Sequence, residues 1–282
     1  MNINDLKARL AGLNRRTAKA NDVWKPKDEH DVRLMPYPFA PDPLNELYFH
    51  YEIGETTSIL CPKANFGKDC EICDFCDKLK SWQDASGQDK PESTRRADFE
   101  IFKKVQPKAR VFIPMVERGK EGDGAKFWGV TPAQATQILE ICAETDRLDE
   151  LGLNESNALD AIFSTKKAYD LHVSFAKKGE KGNQKTYAQV TIKPKLKTSP
   201  LMGDKEQTAN LLASVKNLKD VYPEVPSEEV SRMLQKFLGS GAAEAKPEGG
   251  TEKYAANTKE SSKVVGGKSI DEAFGDLLSD GK

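Results

Sequence analysis

Apolar and polar positions alternate with a period of two in DVRLMP (31–36) and again in ELYFHYE (46–52), with a connection punctuated by Pro36, Pro38, Pro41 and Pro43 between them. That period marks half-buried strands, so two strands are predicted, with His50 near the end of the second. FEIFKKVQPKARVFIPMV (99–116) reads as two more strands around Gln106-Pro107, and ERGKEGDGAKFWGV as a glycine-rich hairpin returning through Phe127 and Trp128. AYDLHVSF (168–175) and KTYAQVTIKPKLK (185–197) predict a further hairpin around the loop AKKGEKGNQ. Residues 77–97 are polar and rich in turn formers, and are read as a loop.

Helical spacing appears elsewhere. Thr131-Pro132 opens the best-signalled helix: Thr131 caps, Pro132 suits the first turn, Gln134 completes a capping box, and Ile138, Leu139 and Cys142 supply the apolar face. Asp204 is expected to cap a helix carrying Leu211, Leu212, Val215 and Leu218, and Ser227 one carrying Val230, Met233, Leu234, Phe237 and Leu238 before Gly239. Leu6, Leu10 and Leu13 predict a short amphipathic helix leading into Arg15, Arg16 and Lys19, too short to fold alone and read as an interaction arm. Beyond Gly239 the composition cannot bury a core and predicts a flexible tail. Its tip gathers Asp271, Glu272, Asp276 and Asp280 around Phe274, Leu277 and Leu278, the make-up of a docking peptide for partner proteins. Strands and helices together predict an α+β class, with 1–22 as arm, 23–239 as core and 240–282 as tail.

Composition narrows the setting. With 282 residues, 31% charged and a mean hydropathy of −0.64, the chain reads as soluble. No run approaches the ~18 apolar residues of a membrane span, and no hydrophobic signal core opens the chain, so a cytoplasmic, reducing compartment is expected. The net charge of −1 hides local asymmetry: Lys166 to Lys197 holds nine lysines against Asp170 and Glu180. Lys103, Lys104, Lys108 and Arg110, extended by Arg95 and Arg96, lie among Phe99, Phe102 and Phe112. Cations neutralise phosphates while rings stack on unpaired bases, which is what a groove for single-stranded nucleic acid requires. Candidate contacts are Arg33, Tyr48, Arg95, Arg96, Phe102, Lys103, Lys104, Lys108, Arg110, Trp128, Lys177, Lys178, Lys181, Lys185 and Tyr187.

The densest chemistry lies in HYEIGETTSILCPKANFGKDCEICDFC (50–76), with four of the five cysteines. Cys70 and Cys73 can grip one side of a tetrahedral zinc ion; Cys61 with either His50 or Cys76 completes the set. Residue counting leaves the fourth ligand open. Closed by four protein ligands, the site would be structural, over about 48–80. A zinc-dependent nucleobase deaminase is the sharper alternative, because His50-x-Glu52 followed by Cys70-x-x-Cys73 matches part of its signature; Asp69 stands where that signature has proline. A zinc-stabilised adaptor that binds proteins through the acidic tip is the other.

Taken together, the arginine strand at 32–36, His50 with Cys61, Cys70 and Cys73, the basic pair Lys103-Lys104, the KFWG return at 126–129 and the order of basic arm, core and acidic tip resemble the single-stranded DNA-binding proteins of T-even-type bacteriophages over nearly the full length. The resemblance implies an OB-fold-like barrel core with a zinc subdomain, one structural Zn2+ with His50 as the fourth ligand, and no enzymatic activity. It further implies self-association through Arg15, Arg16 and Lys19, cooperative coating of single-stranded DNA, and recruitment of phage replication, recombination and repair proteins by the tail in the cytoplasm of an infected bacterium.

Overall fold

The computed structural model describes residues 22–53, 58–80, 91–176, 180–181, 184–185 and 189–244. The arm at 1–21, the tail beyond 244, Lys177, Lys178 and Tyr187 lie outside the described residues. The chain divides into two compact units, residues 22–46 with Ala109–Pro223 and Leu47–Lys108 with residues 224–244.

The first unit is built on an open antiparallel sheet. In chain order the strands are β1 (Glu29–Leu34), β2 (Asn45–Tyr51), β3 (Ser58–Leu60), β4 (Lys108–Glu117), β5 (Lys126–Val130), β6 (Ala168–Ala176), the short β7 (Glu180–Lys181) and β8 (Gln184–Lys185), and β9 (Gln189–Ser199). In the first unit β4 pairs with β5 and β1, β1 with β6, and β6 with β9. Both hairpins expected from the alternation, 117–130 and the lysine-rich one, are present; β7 and β8 pair with each other inside the latter.

Register puts Val32 opposite Leu171 and Leu34 opposite Met115, so one face of the sheet is apolar. Helix α4 (Pro132–Ala143) supplies Ile138, Ile141 and Cys142 to the same core. Each large aliphatic side chain buried there contributes about 1.5–3 kcal/mol. The expected capping box forms: Thr131 Oγ1 accepts from the Gln134 N–H at 3.3 Å, and Gln134 Oε1 accepts from the Thr131 N–H at 2.8 Å. Helices α5 (Thr145–Leu151) and α6 (Asp160–Phe163) follow.

The helix expected after Asp204 is two. Asp204 caps α7 (Lys205–Ala213) as expected, accepting from the Gln207 N–H. Ser214 then donates its hydroxyl back to the Leu211 carbonyl at 2.6 Å, and Asn217 caps a new helix, α8 (Leu218–Val221). Side chains of this kind compete with the backbone for helical bonds, which ends α7 before Val215.

Two corrections concern candidate contacts. Arg33 is fully buried, its guanidinium donating to the carbonyls of Ala168 and Ser164 and to Asp170. A cation so enclosed fixes the sheet and reaches no phosphate. Trp128 is 3% exposed and packs edge-on to Trp24 at 5.5 Å, because its register opposite Ile113 turns it to the core. It offers no face to a base.

The second unit holds β3, the helices α1 (Pro62–Phe66) and α2 (Glu71–Leu79), then α3 (Glu92–Val105) and α9 (Ser227–Glu244). Helix α3 corrects both the loop expected to 97 and the strand expected from Phe99. Asp98 and Val105 are buried, and Ile101 and Phe102 half-buried, along one stripe. That is a helical period, which the aromatic content and Pro107 disguised as a hairpin. Helix α9 starts at Ser227, with the Pro226 carbonyl accepting from the N–H groups of Glu229 and Val230, so Ser227 lies within the first turn instead of capping it. The helix also continues through Gly239 to Glu244.

Candidate metal centre

Four ligand atoms, one each from His50, Cys61, Cys70 and Cys73, lie within 4.8 Å of one another, all on buried residues. Local folding places each. β2 and β3 form a hairpin with His50 opposite Ile59, and Cys61 follows β3 directly. Cys61 caps α1, its sulfur accepting from the Ala64 N–H at 3.4 Å. Gly67, at φ 66, ends α1 in the left-handed region that glycine adopts without a Cβ clash, and the chain turns toward Cys70. Cys70 is the cap of α2 and Cys73 lies in its first turn, so the three-residue spacing becomes one helix start presenting two sulfurs.

The spacings suit a tetrahedral ion. His50 Nε2 is 3.5 Å from Cys70 Sγ and 3.6 Å from Cys73 Sγ, and Cys61 and Cys73 sulfurs are 3.4 Å apart. Zinc bonds of ~2.0 Å to nitrogen and ~2.3 Å to sulfur give tetrahedron edges of ~3.5 Å for N···S and ~3.8 Å for S···S. A backbone hydrogen bond orients the imidazole for ligation. His50 Nδ1–H donates to the Val105 carbonyl at 2.7 Å, leaving the Nε2 lone pair toward the sulfurs.

The thiols also perturb one another. Hydrogen bonds from Cys70 and Cys73, aided by backbone N–H groups of Ala64 and Lys63 and opposed by burial, hold the Cys61 thiol well below the ordinary range. Hydrogen bonding with Cys61 and Cys70 pushes Cys73 upward. Three thiolates this close would repel one another, so their joint ionisation requires a compensating charge. The donor set therefore fits a divalent ion, with all four tetrahedral positions taken by protein. Cys76 is not in the group; it is 2% exposed among apolar neighbours, and burial above all pushes its thiol up to about 12. Glu52, two residues after His50, has a side chain 74% exposed and faces Lys104 at 4.0 Å.

The candidate nucleic-acid residues scatter. On α3, Arg96, Lys103 and Lys104 are exposed and Arg95 is half-buried. Lys103 Nζ stands 5.8 Å from the Phe99 ring, which is 43% exposed. Phe102 is half-buried under Lys80 at 5.3 Å, Tyr48 is half-buried on β2, Lys108 is exposed and Arg110 half-buried. Lys181 and Lys185 lie on β7 and β8. Two partners escaped the sequence. The Val105 carbonyl is a backbone atom that no residue type announces. Arg118 joins Arg33 on Asp170, donating from Nε at 3.1 Å and Nη2 at 2.9 Å, and only register brings the three together. Among protein-family models and curated proteins, no match to this chain was found.

Proposed function

We propose that this chain is a non-enzymatic, sequence-nonspecific single-stranded DNA-binding protein whose second unit is held in shape by one structural zinc ion. The observation that carries the reading is the exposed face of α3, where Arg96, Phe99 and Lys103 recur at three- and four-residue spacing with a cation 5.8 Å from an accessible ring. Cations there meet phosphates and the ring meets an unpaired base; a closed duplex hides its base faces. Zinc, held by His50, Cys61, Cys70 and Cys73, would supply cross-linking of β2, α1 and α2. Four protein ligands and the outward Glu52 support a structural site over a deaminase, which needs a water position on the metal and a sheltered acid.

The resemblance extends the proposal to cooperative self-association through Arg15, Arg16 and Lys19, partner recruitment by the tail, and a role in phage replication, recombination and repair. The antiparallel sheet of the first unit is the part of the fold that supports an OB-type barrel. The deciding experiment is equilibrium binding of labelled single-stranded and duplex DNA at two salt concentrations. Tight binding of the single strand, weakened by salt, is expected. Absence of binding to either would sink the proposal and leave the adaptor.

A further inference from the structure

β9 departs from its ladder at one place. Leu171 pairs with Pro194 and Tyr169 with Thr198, so a step of two residues on β6 faces a step of four on β9. Lys195, Leu196 and Lys197 stand together opposite Asp170, and β9 is the last strand in the sheet order. Such a bulge re-aims side chains out of the pleat. Leu196 is 92% exposed, the most exposed large apolar side chain among the described residues. Burial of a leucine is normally stabilising, and the bulge forgoes it.

The surroundings are cationic. Lys193, Lys195 and Lys197 lie on β9, Lys193 opposite His172, and Lys166 and Lys167 immediately precede β6; register places Ala168 opposite Ser199, which brings Lys166 and Lys167 to the end of the ladder nearest Lys197. Lys195 is tied to Asp31 at 2.5 Å; Lys193, Lys197, Lys166 and Lys167 have no ion-pair partner among the described residues. Asp170 is already neutralised by Arg33 and Arg118. A lone apolar side chain in a field of free cations fits a polyanion with apolar faces between its charges.

We infer that Leu196 is a wedge that opens duplex DNA at a junction with a single strand, entering between stacked bases while the flanking lysines hold the phosphates. This rests on the nucleic-acid reading above and adds an activity to it. Binding only the open strand shifts an equilibrium by mass action, whereas a wedge accelerates opening itself.

The test uses the full chain and a duplex with a single-stranded tail, carrying a fluorophore and quencher at the junction, with excess trap strand to follow opening. The wild-type chain should accelerate opening. Leu196→Ser should open the duplex about tenfold more slowly at unchanged affinity for an unstructured single strand, and Leu196→Met should keep the acceleration, since inserted side chains of this kind act by apolar shape. Opening by Leu196→Ser at the wild-type rate would overturn the wedge while leaving single-strand binding intact. Wild-type protein that binds no single strand fails at the underlying reading instead. Binding to vesicles of anionic phospholipid, lost in Leu196→Ser without change in duplex opening, would assign the leucine to a membrane surface and also overturn the wedge.

Discussion

His50 donates its Nδ1–H to the carbonyl of Val105, 55 residues along the chain, at 2.7 Å. The last residue of α3 therefore fixes the ring whose other nitrogen faces Cys70 and Cys73. The helix bearing the proposed nucleic-acid face and the candidate metal centre share this bond within one unit, so loss of the ion should loosen the end of α3.

Cys73→Ser is expected to abolish stoichiometric zinc and lower thermal stability. A bound ligand at about a thousandfold excess over Kd stabilises by about 4 kcal/mol, on the order of 10 °C for a chain of this size. Metal analysis with calorimetry checks this; full zinc content and unchanged melting in the variant would refute it.

Arg33→Met should cost about 3–5 kcal/mol, because Asp170 loses one of its two cationic partners. Burial draws the guanidinium down to about 10, and Asp170 keeps it charged at neutral pH. Single-strand affinity of the folded fraction should not change. An affinity loss at full stability would restore Arg33 as a contact.

Glu117 makes stability depend on acid. Burial alone would raise its carboxyl, but hydrogen bonds from Lys120, His30 and Trp24 outweigh it and take it from the ordinary 4.5 to about 2. A depressed carboxyl contributes stability above its unfolded value and loses it as pH falls through the folded one. Denaturation between pH about 5 and 2 should therefore be steeper in the wild type than in Glu117→Gln, with a difference of up to about 3 kcal/mol. Parallel curves would exclude the contribution.

On α3, Phe99→Ala should weaken single-strand binding by about 1–3 kcal/mol with little change in salt dependence. Lys103→Gln should instead reduce the slope of log affinity against log salt by about 0.7. If both variants bind like the wild type, the contact face lies elsewhere.

Thr131→Ala removes one side of the capping box and should cost about 1 kcal/mol, read as a lower urea midpoint at unchanged slope.

Much of this was legible in the sequence because it is local. Thr131 and Gln134 meet across one turn, Asp204 bonds an N–H three residues on, and Cys70 with Cys73 form one helix start whatever surrounds them. Where local signals conflicted, the reading failed: Phe99 to Val105 has strand-like composition but a helical stripe, and burial of Asp98 and Val105 decided for the helix.

The sequence by itself determined the cysteine spacing, the α+β alternation and the segregation of charge, since each depends on neighbours a few residues apart. Spacing leaves His50 and Cys76 open and the resemblance favours His50; the tertiary structure brings His50 and not Cys76 to the three sulfurs, and it alone decided that Arg33 and Trp128 turn inward and that Leu196 is left in water. Those outcomes depend on strand register and on which face of a helix is buried, and both are set by contacts between residues remote in the chain, where the free-energy difference between one partner and another appears only after the backbone has folded.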